Sequence, residues 1–213
     1  MKWDAIFFDC DGVILDSVDI KTKVFYKMFL KFGEEYARQG VQFHLENGGI
    51  SRHEKFKHFY HHILNHQVSD EKIMDLGKQF SEYVLDEVLK APFIDGAYET
   101  ICELHKLQIP IFVVSGTPHD EINYIFQERN MSRFFEGIHG SPRDKSDIVK
   151  DILDRYTCNK ENCLFIGDAL SDLEASVKTG LIFLGIEKEG HSTFSGDVIT
   201  KNSLSVSDIL NLK

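Results

Sequence analysis

What the chain lacks narrows its class before any motif is read. No apolar run approaches the ~18 residues of a membrane-spanning helix. Cysteine is sparse: Cys10, Cys102, Cys158 and Cys163 are scattered with no CxxC pair, as reduced cytosolic thiols would be. Basic charge is in deficit. Lys plus Arg total 24 against 34 Asp plus Glu, a net charge of −10, which argues against a nucleic-acid or anionic-membrane partner. Internal repeats and low-complexity segments are missing too. Strand-like sequence starts almost at the first methionine and leaves no room for a signal peptide, so the expected location is cytoplasmic. Tryptophan occurs once against 17 phenylalanines, so the core should be built on Phe.

The most informative stretch is Phe7-Phe8-Asp9-Cys10-Asp11-Gly12-Val13-Ile14-Leu15-Asp16-Ser17. An apolar strand, Ala5-Ile6-Phe7-Phe8, runs straight into two carboxylates one residue apart. A continuous apolar run is the pattern of a parallel strand buried on both faces. In open α/β sheets ligands bind just past the carboxyl ends of such strands. Residues i and i+2 of an extended segment point the same way, so Asp9 and Asp11 can face one small site. Two carboxylates there repel unless a proton or cation intervenes, which suggests a hard, oxygen-seeking ion such as Mg²⁺.

From Asp16 to about Leu89 the periodicity is helical. Three amphipathic helices are expected around Val24-Phe25, Phe56-Phe59 and Leu76-Phe80, with Gly33, Gly40 and Gly48-Gly49 as punctuation. Beyond Ala91-Pro92 helices alternate with strands at Ile109–Val114, Gly137–Gly140, Cys163–Gly167 and Leu181–Leu184. Thr117 should cap a helix with Pro118 at its first position, and Ser146 should cap another running to about Tyr156. The alternation implies right-handed βαβ units. The expected architecture is therefore an α/β, doubly wound parallel sheet, with residues 1–16 and 91–213 as its core and residues 17–90 as an inserted α-helical cap.

Four chemical features fall at four strand ends: Asp9 and Asp11, Ser115-Gly116-Thr117, Lys145, and Gly167-Asp168 through Asp172. In a parallel sheet these converge on one edge. Together they suit phosphoryl transfer. One carboxylate attacks the phosphoryl group, and a second gives a proton to the leaving oxygen and later takes one from water. A hydroxyl and backbone N–H groups hold phosphate oxygens. A lysine and Mg²⁺ offset the charge.

These motifs, Asp9-x-Asp11-Gly12-Val13-x-x-Asp16-Ser17, Ser115-Gly116-Thr117, Lys145 and Gly167-Asp168-x-x-x-Asp172, stand in the order found in the haloacid dehalogenase superfamily, which the chain resembles over nearly its whole length. The helical insertion is similar to that of the phosphoglycolate phosphatase and β-phosphoglucomutase branch. The resemblance implies a Rossmann-like core and an aspartyl-phosphate intermediate. It implies Asp9 as nucleophile and Mg²⁺ ligand, and Asp11 as acid/base with its carbonyl on the metal. Ser115, Gly116 and Lys145 would hold phosphate, Asp168 would be a metal ligand and Asp172 a neighbouring carboxylate. An acid at position 11 favours a phosphate ester, because a halide leaving group needs no proton. Gly49-Ile50-Ser51-Arg52 resembles a cap segment whose arginine meets a substrate phosphate. The lysine motif departs from the branch, with Ser146 where proline is common. The expectation is a Mg²⁺-dependent phosphatase acting on a small phosphorylated metabolite, as monomer or homodimer. A phosphomutase on the same scaffold is the alternative, although Lys21 stands near where such mutases carry histidine. A catalytically idle binding protein is the third reading. His53, His58, His61, His62 and His66 read as a polar helix face.

Overall fold

The computed structural model describes residues 3–188, 190 and 192–212. Ala5–Phe8 forms strand β1, buried along its whole length. It is joined in parallel by β2 (Ile111–Pro118), β3 (Gly137–Ser141), β4 (Cys163–Gly167), β5 (Ile182–Ile186) and the short β6 (Thr200–Lys201). The sheet order is β3-β2-β1-β4-β5-β6. The chain thus builds outward from β1 to one edge, then returns to build outward from β4 to the other. The place where the order reverses, between β1 and β4, is where open α/β sheets leave a crevice. Phe7 pairs with Phe112 on one side and Phe165 on the other.

Alternation along β1 sends side chains to both faces. Phe7 stacks with Phe112 and Phe165 in a cluster closed by Ile148, Val149 and Ile152. Ile6 and Phe8 belong to the larger cluster on the other side. The helices α5 (Ala97–Lys106), α6 (His119–Glu128), α7 (Lys145–Tyr156), α8 (Leu170–Thr179) and α9 (Val206–Leu210) complete this part.

Between β1 and α5 lie α1 (Val18–Leu30), α2 (Glu34–Glu46), α3 (Arg52–His58), a π-helical turn (Phe59–Ile63) and α4 (Asp70–Lys90). Phenylalanines hold them together. Phe25 lies 4.3 Å from Phe80 and 5.5 Å from Phe56, centre to centre, and Phe29 stacks on Phe59. Helix α2 was not among the three expected. It buries only Ala37, Gly40 and His44, too few apolar residues to show a stripe. Gly40 is no break. It lies mid-helix where a Cβ would strike the Phe29 ring and come within 2.9 Å of Phe59, so the missing side chain is what lets α2 close on α1.

Two helix starts differ from expectation. Strand β2 continues through Pro118, so α6 begins one residue later, at His119. Asp144, not Ser146, caps α7, its carboxylate accepting from the Ser146 N–H at 2.8 Å. Strand β6 is too short to leave a periodic signal. No helix among the described residues is long and apolar enough to cross a membrane.

Candidate active site

Asp9 follows β1 directly and Asp168 follows β4, so the two carboxylates meet at the reversal of strand order. Gly12 makes the approach possible. Its φ is +78°, and a Cβ there would overlap the Asp168 carboxylate. Lys145, at the start of α7, lies 3.3 Å from Asp9 Oδ2 and 2.6 Å from Asp172 Oδ1. Asp172 in the first turn of α8 is fully buried, and its other oxygen accepts from the Ala169 N–H at 3.2 Å.

One carboxylate oxygen from each of Asp9, Asp168 and Asp172 lies within 4.8 Å of the others. Burial pushes the Asp9 carboxyl up to about 7 even with Lys145 beside it, and Asp172 and Asp11 add to the rise. Asp168 is raised as well, by burial and then by Asp9 and Asp172. Asp9 Oδ1 is buried without a hydrogen-bond partner among the described residues. An orphaned carboxylate oxygen among crowded acids fits a hard divalent cation. Asp172 is already committed to Lys145 and Ala169, which leaves Asp9 and Asp168 as the pair best able to hold one.

Asp11 has a different environment. Ser17 donates to its Oδ1 at 2.5 Å, Lys21 forms an ion pair with Oδ2, and Thr117 donates to Oδ2 at 3.2 Å. Burial opposes ionisation of Asp11, but Lys21 and these hydrogen bonds outweigh it and hold the carboxyl at about 2. Ser17 occupies the N-cap place of α1 yet gives its hydroxyl to Asp11. Lys21 also donates to Thr117 Oγ1 at 2.8 Å. The part played by Lys21 was missed from sequence, although a signal existed: Ser17, Lys21 and Phe25 are spaced four apart and share one face of α1.

Ser115 is buried on β2 and accepts from the Thr117 N–H at 3.1 Å, while Gly116 and Thr117 line the cavity. The cavity, about 300 Å³, has Asp9, Asp11 and Asp168 in its floor and His44, Gly49, Arg52 and Lys55 in its roof. Roof and floor touch. A Cβ on Gly116 would strike the Gly49 carbonyl, and Ser171 donates to the Gly48 carbonyl at 2.9 Å. Arg52 lines this cavity, but its guanidinium grips Glu121 of α6 through both nitrogens, at 2.5 and 2.9 Å, and donates to Ser81 at 2.7 Å. Meeting a substrate phosphate would require it to release Glu121. Arg143 is half exposed and pairs with Asp151.

The sequence model for haloacid dehalogenase-like hydrolases matches residues 6–186. The chain belongs to that family. Among curated proteins it is similar to the 6-phosphogluconate phosphatase of Escherichia coli, at 25% identity over 84% of this chain and 80% of that one. It is also similar to a phosphoglycolate phosphatase of Pseudomonas savastanoi, at 23% identity over 83% of this chain and 66% of that one. Among solved structures, β-phosphoglucomutase from Clostridium difficile superposes with a TM-score of 0.74 at 19% identity, covering 99% of this chain and 96% of that one. CbbY from Rhodobacter sphaeroides, in complex with phosphate, gives 0.71 at 17% identity over 94% of each chain. These likenesses bear out the doubly wound α/β fold.

Proposed function

We propose that this haloacid dehalogenase-like hydrolase is a phosphoric monoester hydrolase acting on a small phosphorylated metabolite, with Asp9 as nucleophile. The observation that carries the reading is the meeting of Asp9, Asp168 and Lys145 at the switch point of the sheet, beneath the roof that carries His44, Gly49, Arg52 and Lys55. Asp9 attacks phosphorus through one carboxylate oxygen, and the bond from phosphorus to the ester oxygen breaks. Lys145 lies against the attacking carboxylate and offsets charge on the phosphoryl oxygens. Ser115, with the backbone at Gly116, holds those oxygens. Asp11 is ionised at rest. The negative charge of an arriving phosphate ester works against that and moves Asp11 toward the form that can donate to the leaving oxygen. With its proton gone, Asp11 can then take one from the water that attacks the aspartyl-phosphate; the bond from phosphorus to the Asp9 oxygen breaks, which frees inorganic phosphate and restores the Asp9 carboxylate. Mg²⁺, held by Asp9, Asp168 and the carbonyl of Asp11, would supply charge neutralisation and orientation for the phosphoryl group.

Phosphatases among the relatives support hydrolysis over transfer to a second substrate. Lys21, engaged by Asp11 and Thr117, stands near where the mutase pattern would place histidine. The cavity volume suits a metabolite rather than a macromolecule. The test is phosphate release from a panel of sugar, polyol and carboxylic-acid phosphates with Mg²⁺, using Asp9→Asn as control. Release that depends on Asp9 supports the reading. No release from any ester, or full activity in Asp9→Asn, overturns it.

A further inference from the structure

Cations around the cavity are not equally matched by carboxylates. Lys21 is paired with Asp11, Arg52 with Glu121, and Lys188 with Asp16 and Asp19. Lys55, on α3 in the roof, is different. It is only 5% exposed. Among the described residues its ammonium meets only neutral groups: His44 Nδ1 at 2.8 Å, the His44 carbonyl at 3.4 Å, and the Phe25 ring at 5.8 Å.

The neighbouring hydrogen bonds fix how Lys55 is held. Thr22 gives its hydroxyl proton to the Val18 carbonyl at 2.8 Å. His44 Nε2, 3.1 Å from that hydroxyl oxygen, must therefore carry the hydrogen. Nδ1 is then the acceptor, and it takes a proton from Lys55. Two acceptors on one residue leave an ammonium with a hydrogen uncommitted. A buried cation without a counter-ion is costly, yet this one is braced from behind by a neutral histidine and lines the same cavity as Asp9.

We propose that Lys55 is the receptor for a second anionic group on the substrate, a carboxylate or a second phosphate at the end away from the scissile ester. This rests on the reading of the floor as a phosphatase site and extends it to substrate class. His44 is its positioning residue. Burial and nearby Lys21 draw the Lys55 ammonium down to about 7 against the pull of Asp11 and Asp168, and an anion docking beside it works in the opposite direction.

Three esters of one carbon skeleton separate the cases: glucitol 6-phosphate with a neutral tip, 6-phosphogluconate with a carboxylate tip, and glucitol 1,6-bisphosphate with a phosphate tip. In the wild-type protein kcat/KM should favour at least one anionic tip over the neutral one by about tenfold or more. Which tip wins distinguishes carboxylate from phosphate. In Lys55→Met that ratio should collapse toward one, with the change mainly in KM. Lack of preference in the wild type overturns the proposal, and that comparison needs no variant. A preference that survives in folded Lys55→Met also overturns it. Turnover and recognition are separable by calorimetry on Asp9→Asn with Mg²⁺. Tighter binding of an anionic tip, lost in Asp9→Asn/Lys55→Met, supports Lys55 even if none of the three is hydrolysed. Equal binding of all three overturns it. Absence of hydrolysis across a broad ester panel would count against the phosphatase reading alone.

Discussion

The floor and roof of one cavity treat charge in opposite ways. In the floor Asp9, Asp168 and Asp172 crowd together around Lys145, and Asp11 is wrapped by Lys21, Ser17 and Thr117. In the roof a layer of phenylalanine carries Arg52, tied to Glu121, and Lys55, whose hydrogen bonds among the described residues go to His44. Each floor side chain sits at a strand end or a helix start, where backbone pairing fixes its position. Each roof side chain projects from a helix face whose own place depends on aromatic packing. The floor is therefore suited to invariant chemistry, and the roof to choosing what the chemistry acts on.

The sharpest separation should come from removing charge in the floor. Asp9→Asn keeps the shape but not the nucleophile, and turnover with Mg²⁺ should fall about 10³-fold or more. Phosphate release under saturating substrate measures it. Lys145→Met should come next. It leaves the Asp9, Asp168 and Asp172 cluster without its buried cation, so stability should drop by about 3–5 kcal/mol without added metal. Mg²⁺ should restore part of the loss. Denaturation with and without the ion checks both. A similar metal rescue of a roof variant would erase the distinction drawn between the two walls.

Roof changes should act through packing. Gly40→Ala pushes a methyl into the Phe29 ring and should cost about 1–3 kcal/mol, read as a lower denaturation midpoint with kcat little altered. The roof also has its own pH signature. His44 is held neutral by burial and by Lys55, its pKa drawn from 6.5 to about 2. Between those values the unfolded chain binds a proton that the folded chain does not, so His44 makes stability fall as pH drops below about 6.5. The contribution is at most about 1.4 kcal/mol per pH unit. The raised pKa of Asp9 acts in the opposite sense. For that reason the measurement is the difference between wild type and His44→Gln at several pH values from 7.5 to 5, where wild type should lose stability relative to the variant. The smallest effect belongs to neither wall. Arg143→Ala removes an exposed ion pair with Asp151 and should change stability by less than about 1 kcal/mol.

The same contrast explains what the sequence made legible. β1 and β4 were readable to the residue, because a buried parallel strand is an apolar run with sharp ends. Their order in the sheet then brings Asp9 and Asp168 together. The roof was harder. Helix α2 shows almost no apolar stripe, since Gly40 and His44 occupy positions where large apolar residues would stand. Arg52 was visible as a cation near the site, but Glu121 lies in α6, 69 residues away, and no local spacing announces such a pair. Lys55 was overlooked for a similar reason. It lies three residues after Arg52 and next to Phe56, a basic residue on an apolar face, and its partner His44 belongs to the helix that periodicity did not reveal.

The most direct measurement asks whether the floor performs covalent chemistry. Wild-type protein is mixed with Mg²⁺ and a hydrolysed ester, quenched within one turnover, and its peptides are weighed. A phosphoryl group should be found on the peptide carrying Asp9, transiently, and should be absent in Asp9→Asn. Rapid hydrolysis with Asp9 unmodified throughout the first turnover, or the label on any other residue, would contradict the account.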